Sequence, residues 1–90
     1  MEPQLIVKLY APFSDYAGTR QVSLPVAAAL TARELLGRLV ELYPRLAPHF
    51  AEDRPSDEAV LLVINGRLAA LGDAVRPGDE VFVCPQISGG

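Results

Sequence analysis

The sequence predicts one α+β domain in which a single amphipathic helix packs across one face of a β-sheet. Two observations support this class. Apolar and polar residues alternate with a period of two near both ends of the chain, and one central segment changes to the period of a helix. The chain has 90 residues, of which 50% are hydrophobic, enough for one modest core. A sheet and a helix that each carry one apolar face bury both by packing together.

Two strands are expected at the amino-terminal end. Residues 4–11, QLIVKLYA, alternate between the two faces of a strand, and residues 20–24 form a second, shorter one. The intervening residues 12–19 contain Pro, Ser, Asp and Gly, which is typical of a loop. Neighbouring strands joined by such a loop predict an antiparallel hairpin.

The helix is expected over residues 32–43. Thr31 and Glu34 have the spacing of a capping box, in which each side chain satisfies a backbone N–H of the first turn. Pro44 ends the segment because the residue before a proline avoids helical backbone angles. Five apolar or aromatic residues share one helical face: Leu35, Leu36, Leu39, Leu42 and Tyr43.

The second half of the chain contains a long connection and three strands. Residues 44–58 are interrupted by prolines, with Leu46 and Phe50 expected to anchor one short helical turn and residues 52–58 expected to be exposed and mobile. The remaining expected elements are a strand at 60–64, an Asn-Gly turn at 65–66, a short strand at 68–71, a turn at 76–79 and a strand at 80–84. We therefore predict a domain at residues 1–84 and a flexible tail at residues 85–90.

The composition argues against several classes of function. A single histidine, His49, and a single cysteine, Cys84, are too few for a zinc site, and no phosphate-binding loop or nucleophile motif is present. The net charge of −3 disfavours nucleic-acid binding. No apolar run approaches the roughly 20 residues of a membrane span. The lone cysteine and the lack of a secretory pattern predict a cytoplasmic protein.

The tail PQISGG is the candidate working part of the chain. Residues 85–90 reach roughly 20 Å beyond the sheet when extended. Because glycine has no Cβ, Gly89 and Gly90 fit a narrow channel, and Ser88 completes this slender tip. Ile87 is an apolar anchor for a partner's groove. The Gly90 carboxylate is then suited to delivery into another protein's active site, whereas the alternative is a frayed chain end.

Four stretches carry a resemblance to the ubiquitin-like sulfur-carrier family, namely VKLYAPFSDYAGT, LLVINGR, RPGDEVFVCP and ISGG. The chain most resembles the small subunit of molybdopterin synthase, and the thiamine-pathway sulfur carrier is a cousin. The resemblance implies a β-grasp, ubiquitin-like fold, with a mixed sheet of about five strands and one main helix across one face. It also implies that the first and last strands are parallel neighbours.

The resemblance also implies a mechanism in which the chain itself binds no cofactor or metal and catalyses nothing alone. An adenylating enzyme resembling the ubiquitin activators uses ATP to convert the Gly90 carboxylate into an acyl-adenylate. A sulfur donor then displaces AMP and leaves a thiocarboxylate. The tail then enters the active site of the large synthase subunit, and the sulfur passes to the pterin precursor. The complex of the two subunits is expected to be a heterotetramer.

An apolar patch on the sheet is the expected docking surface. If the valines of the last strand face the helix, Phe82 lies on the other face, beside Ile6 and Tyr10 when the first and last strands adjoin. Apolar patches on small soluble proteins usually mark interfaces, so Phe82 is predicted to anchor partner docking. The alternative is that the protein's own loops shield Phe82.

Several functions remain open within this resemblance. Synthase small subunits often carry two prolines before the tail, whereas this chain has Pro85-Gln86. A sulfur carrier for thiamine synthesis, cysteine synthesis or tRNA thiolation is therefore an alternative. The long connection at residues 44–58 counts against the thiamine-pathway carrier. Two further alternatives are a ubiquitin-like interaction module that is never activated and a protein modifier joined to lysines.

Overall fold

The computed structural model describes residues 3–50 and 60–85, so the predictions for residues 52–58 and for the tail beyond Pro85 lie outside the described residues. The elements follow in chain order: β1 (Gln4–Leu9), α1 (Phe13–Ala17), β2 (Gln21–Pro25), β3 (Leu30–Thr31), α2 (Ala32–Leu42), a 3-10 helix (Pro44–His49), β4 (Val60–Ile64), β5 (Arg67–Ala69), β6 (Ala74–Val75) and β7 (Glu80–Pro85).

Five strands form one mixed sheet in the order β2-β1-β7-β4-β5. β1 pairs antiparallel with β2, which confirms the hairpin, and parallel with β7, which confirms that the first and last strands are parallel neighbours. β7 also pairs antiparallel with β4, so the last strand of the chain lies at the centre of the sheet. The fold is the predicted β-grasp, with a mixed sheet of five strands and one main helix.

The capping box at the start of α2 is confirmed. The Thr31 hydroxyl accepts a hydrogen bond from the Glu34 N–H at 3.1 Å, and the Glu34 carboxylate accepts one from the Thr31 N–H at 3.0 Å. The bonds that the Glu34 carboxylate accepts from the Thr31 N–H and from the Thr31 hydroxyl stabilise its ionised form and lower the pKa of Glu34, with the bond from the Thr31 backbone contributing most. The helix ends at Leu42, one residue before the predicted end.

The apolar face of α2 is shorter than the sequence predicts. Leu35 and Leu39 are fully buried, but Leu42 is 54% exposed, so its assignment to the buried face is wrong. The reason is that the chain turns into the 3-10 helix directly after α2, and Leu46 of that helix is fully buried in the core. The short helical turn predicted around Leu46 and Phe50 is thereby confirmed, since both side chains are buried.

The loop predicted at residues 12–19 contains the short helix α1. Phe13 is buried, and its ring packs edge-to-face against Phe50 with ring centroids 5.2 Å apart. Gly18 ends the helix with a positive φ of 76° and donates its N–H to the Ser14 carbonyl. The burial of Phe13 explains the helix, because it holds this segment against the core.

A second, two-stranded sheet was not predicted. β3 pairs antiparallel with β6, and the buried side chains of Leu30 and Val75 lie opposite one another in this pairing. Strands of two residues are too short to show a period in the sequence. β5 covers Arg67–Ala69 rather than residues 68–71, since the tight turn before it ends at Gly66.

The Asn65-Gly66 turn between β4 and β5 is confirmed. Both residues have positive φ, 52° and 81°, as a two-residue hairpin turn of the primed class requires. The Asn65 side chain also accepts the Glu80 N–H at 2.9 Å and donates to the Asp79 carboxylate at 3.0 Å. The turn is thus tied directly to the first residue of β7.

Replacing Thr31 by alanine is expected to lower the free energy of unfolding by about 1 kcal/mol, because one N–H of the first turn of α2 loses its acceptor. Urea unfolding followed by circular dichroism measures the change. Ser23→Ala, at an exposed position of β2, is the control and should change stability by less than about 0.5 kcal/mol. Equal stability of Thr31→Ala and wild type would contradict a stabilising role for the cap.

Candidate functional site

The candidate site is built on β7, the strand that leads into the tail. β7 is hydrogen-bonded on both edges, to β1 on one side and to β4 on the other. It runs through Pro85, one residue beyond the predicted strand, and Pro85 lies opposite Val60 in the β4 pairing. The predicted tail residues Ile87, Ser88, Gly89 and Gly90 follow this strand in sequence and lie outside the described residues.

Phe82 lies on the face of the sheet that points away from α2. Its neighbours Val81 and Val83 are fully buried in the core, whereas Phe82 is half-buried. In the sheet register Phe82 lies between Lys8 on β1 and Val63 on β4. The structure brings Phe82 and Tyr10 together, with the rings stacked at a centroid distance of 5.7 Å and an interplanar angle of 14°.

Ile6 lies on the same face, two residues before Lys8, and is half-buried. It is opposite Glu80 in the β1–β7 pairing, so it adjoins Phe82 diagonally. We call this side of the sheet the open face, because each of its side chains is half-buried or exposed. Its central residues are Ile6, Lys8, Tyr10, Leu61, Val63, Leu68, Phe82 and Cys84, and polar residues at its ends include Glu80, opposite Ile6, and Gln21 and Ser23 on β2.

Four residues of the open face were missed by the sequence reasoning: Lys8, Leu61, Val63 and Leu68. Leu61 and Val63 belong to the unbroken apolar run of β4, which has no alternation to reveal its outer side. Leu68 follows the Asn-Gly turn and is 69% exposed. The signal that finds Lys8 is its position between Ile6 and Tyr10 in the alternating strand β1.

Lys8 places one positive charge on this otherwise largely apolar face. Its ammonium nitrogen lies 5.4 Å from the centroid of the Phe82 ring, within the range of a cation–π contact. An open cleft of about 560 Å³ adjoins the face at the end of β1, and Lys8, Tyr10, Arg20 and Phe82 are among the residues that line it. The predicted apolar patch is therefore an apolar face with a cation near its centre.

Cys84 lies on the open face close to the base of the tail. It is half-buried and opposite Leu61, and burial raises the pKa of its thiol. Since the thiolate is the reactive form, this environment disfavours nucleophilic sulfur chemistry at Cys84. The ring of His49 stacks on the ring of Tyr16, with the ring centroids 4.1 Å apart, so His49 has a structural contact in the fold.

Metal binding and membrane spanning can be checked directly on the described residues. Across residues 3–50 and 60–85, no three His, Cys, Asp or Glu side chains come close enough together to hold a metal ion. In the same ranges no helix has the length and apolar character needed to cross a membrane. What the arrangement provides is a rigid central strand, an apolar face beside its end, and a tail that begins where that strand stops.

Comparison with known proteins agrees with this arrangement. Residues 7–90 match the ThiS family. The chain is 36% identical over 84 residues to small archaeal modifier protein 1 of Haloferax volcanii, a match that covers 92% of this chain and 97% of the relative. The crystal structure of that relative superposes with a TM-score of 0.79 at 34% identity, over 97% of this chain and 99% of the other.

A second similar structure is that of a Pyrococcus furiosus protein provisionally named molybdopterin converting factor, subunit 1. It superposes with a TM-score of 0.80 over 94% of this chain and 99% of the other, and at 20% identity the likeness concerns the fold alone. The family match extends over nearly the whole chain, and the relative of 36% identity spans almost the same length. The chain therefore belongs to the ThiS family of ubiquitin-like sulfur carriers and modifiers.

Proposed function

We propose that this chain is a sulfur carrier of molybdopterin synthesis that carries sulfur as a thiocarboxylate on Gly90. It is expected to act in the cytoplasm as the small, sulfur-donating subunit of molybdopterin synthase. The observation that carries the proposal is the central position of β7, which holds the base of the tail on both edges. The family match, which runs to residue 90, supports the tail as the working part.

The proposed chemistry follows from the weakness of a carboxylate as an electrophile. The Gly90 carboxylate attacks the α-phosphate of ATP in an adenylating enzyme and releases pyrophosphate. The resulting acyl-adenylate has AMP as a leaving group, and a sulfur donor displaces it to give the thiocarboxylate. Gly89 and Gly90 suit this role because a chain without Cβ atoms passes through a narrow active-site channel.

The domain supplies docking rather than catalysis in this proposal. Phe82 lies three residues before Pro85, so the open face is roughly 10 Å from the base of the tail. A partner that covers Phe82, Tyr10 and Ile6 is therefore within reach of the tail that it must receive. The large synthase subunit and the adenylating enzyme are the expected partners, and ATP is bound by the latter.

A protein modifier is the second candidate function. The observation that favours it is the 36% identity with a relative named as a modifier protein. Both functions require activation of Gly90 and differ in what attacks the acyl group: a sulfur donor in the carrier and a lysine amine of another protein in the modifier. Sulfur carriage for thiamine, cysteine or tRNA thiolation differs from the first proposal only in the acceptor.

Intact mass spectrometry after incubation with ATP, a sulfur source and the cognate adenylating enzyme tests the proposal. We expect the mass of the chain to rise by the difference between one sulfur and one oxygen atom. Deletion of Gly90 or addition of one residue after it should abolish this change and leave the circular dichroism spectrum unaltered. Attachment of the chain to other proteins supports the modifier, and an unchanged mass contradicts the sulfur carrier.

Cys84→Ser is expected to form the thiocarboxylate at the wild-type rate, because the sulfur is carried on Gly90. Burial raises the pKa of the Cys84 thiol, so at neutral pH iodoacetamide should alkylate it more slowly than it alkylates a short cysteine peptide. The rate should rise as the pH increases toward the raised pKa. Loss of thiocarboxylate formation in Cys84→Ser would contradict sulfur carriage on Gly90 alone.

Phe82→Asp is expected to weaken binding to the adenylating enzyme by roughly 30-fold or more, since a charge replaces the apolar anchor of the open face. Calorimetry measures the dissociation constant, and Phe82→Leu separates the loss of the ring from the added charge. Leu42→Asp is the matched control, because it places the same charge on an exposed apolar residue of α2. Unchanged binding of Phe82→Asp to both partners would contradict docking through this face.

A further inference from the structure

Among the described residues of the open face, Lys8 carries the one positive charge and Glu80, opposite Ile6, carries the one negative charge. Lys8 is also the only lysine in the sequence. The Lys8 side chain is half-buried. Phe82 lies opposite it on the neighbouring strand β7, and Val63 lies opposite Phe82 on the next strand, β4. The Lys8 ammonium contacts the Phe82 ring, and among the described residues it forms no ion pair or hydrogen bond. Within the described chain, water is therefore left to solvate most of this charge.

The acidic residues nearby do not neutralise it. Glu80 lies on the open face itself, opposite Ile6 and two residues before Phe82, and Asp15 lines the same cleft as Lys8, yet neither forms an ion pair with Lys8 among the described residues. Arg20 lines that cleft as well and adds a second positive charge at the edge of the face. A surface that approaches the centre of the open face consequently meets the ammonium of Lys8 among half-buried apolar side chains, with Arg20 at the edge of the face and Glu80 beside Ile6.

Docking on this face removes the water around the ammonium. A buried charge is tolerated only when it is paired and hydrogen-bonded, and the contact with the Phe82 ring replaces only part of the lost hydration. A purely apolar partner surface would therefore bind against a large desolvation penalty. A carboxylate opposite Lys8 removes that penalty and fixes the register of the complex.

We propose that the adenylating enzyme presents an aspartate or glutamate carboxylate to Lys8, inside the apolar surface that covers Phe82. This inference rests on the proposed function, in which the adenylating enzyme docks on the open face. It assigns Lys8 as a specificity-determining residue of the interface, because a surface of the same shape without the carboxylate leaves the ammonium unpaired.

The direction in which one substitution changes binding affinity distinguishes a paired from an unpaired Lys8. Lys8→Met keeps most of the length and apolar character of the side chain and removes the charge. If the partner carries a carboxylate, the substitution leaves that carboxylate buried without a partner and weakens binding. If the partner surface is apolar, the same substitution removes an unpaired ammonium and strengthens binding.

We expect Lys8→Met to weaken binding to the purified adenylating enzyme by roughly 30-fold or more, and Lys8→Arg to weaken it less. Calorimetry at ionic strengths of about 0.1 M and about 1 M measures both, since the Debye length falls from about 10 Å to about 3 Å over this range. The ratio of the Lys8→Met and wild-type dissociation constants should persist at the higher salt. If this ratio falls to one at the higher ionic strength, Lys8 makes only an exposed contact at the rim of the interface, and the proposal of a buried ion pair is overturned.

Chemical modification gives a second measurement on the wild-type chain, because Lys8 carries its only side-chain primary amine. Acetylation removes the charge, whereas reductive methylation keeps it, and both reactions also modify the terminal amine. We expect the acetylated chain to bind as weakly as Lys8→Met and the methylated chain to bind within a few-fold of wild type. Equal binding of the two modified chains would overturn the pairing.

The outcome for the wild-type chain separates this inference from the function on which it rests. If wild type neither binds the adenylating enzyme nor gains sulfur, the proposed function and the inference both fail. If wild type binds and is activated, but Lys8→Met binds equally well or more tightly, the carboxylate is absent and the inference alone fails. Thermal unfolding of Lys8→Met checks that the sheet is intact in both comparisons.

Discussion

The pairing of β7 with β1 and β4 is the constraint on which the rest of the structure depends. It joins the first and last strands of the chain in parallel and makes the last strand the centre of the sheet. Because side chains alternate along a strand, a slip of one residue in this pairing would turn Phe82 into the core and Val83 outward. The same register thus decides both the core and the open face.

The register is secured by contacts at the start of β7. The Asn65 side chain accepts the Glu80 N–H and donates to Asp79, while the other oxygen of the Asp79 carboxylate accepts the Arg76 N–H at 2.8 Å. Gly78 has a positive φ of 90°, which this turn requires. The Asp79 carboxylate therefore acts here as a turn and capping group.

In the proposed function, the open face binds the partner and the tail carries the reacting group. A carrier whose chemistry takes place in partner active sites needs a rigid base for its tail and a surface that aligns it, and no catalytic residues of its own. The stacked rings of the exposed Tyr10 and the half-buried Phe82 offer contact area at low entropic cost, whereas the charge of Lys8 selects among surfaces of similar shape. Shape alone would admit any apolar partner.

The sequence by itself determined the elements whose signals are local: the alternation of β1 and β7, the capping box of α2 and the Asn-Gly turn, together with the family and its fold. Tertiary structure decided the burial of Phe13 in α1 and the pairing of β3 with β6. It also decided that Lys8 and Val63 flank Phe82. The physical reason is that each of these depends on contacts between residues far apart in the chain, which no local periodicity encodes.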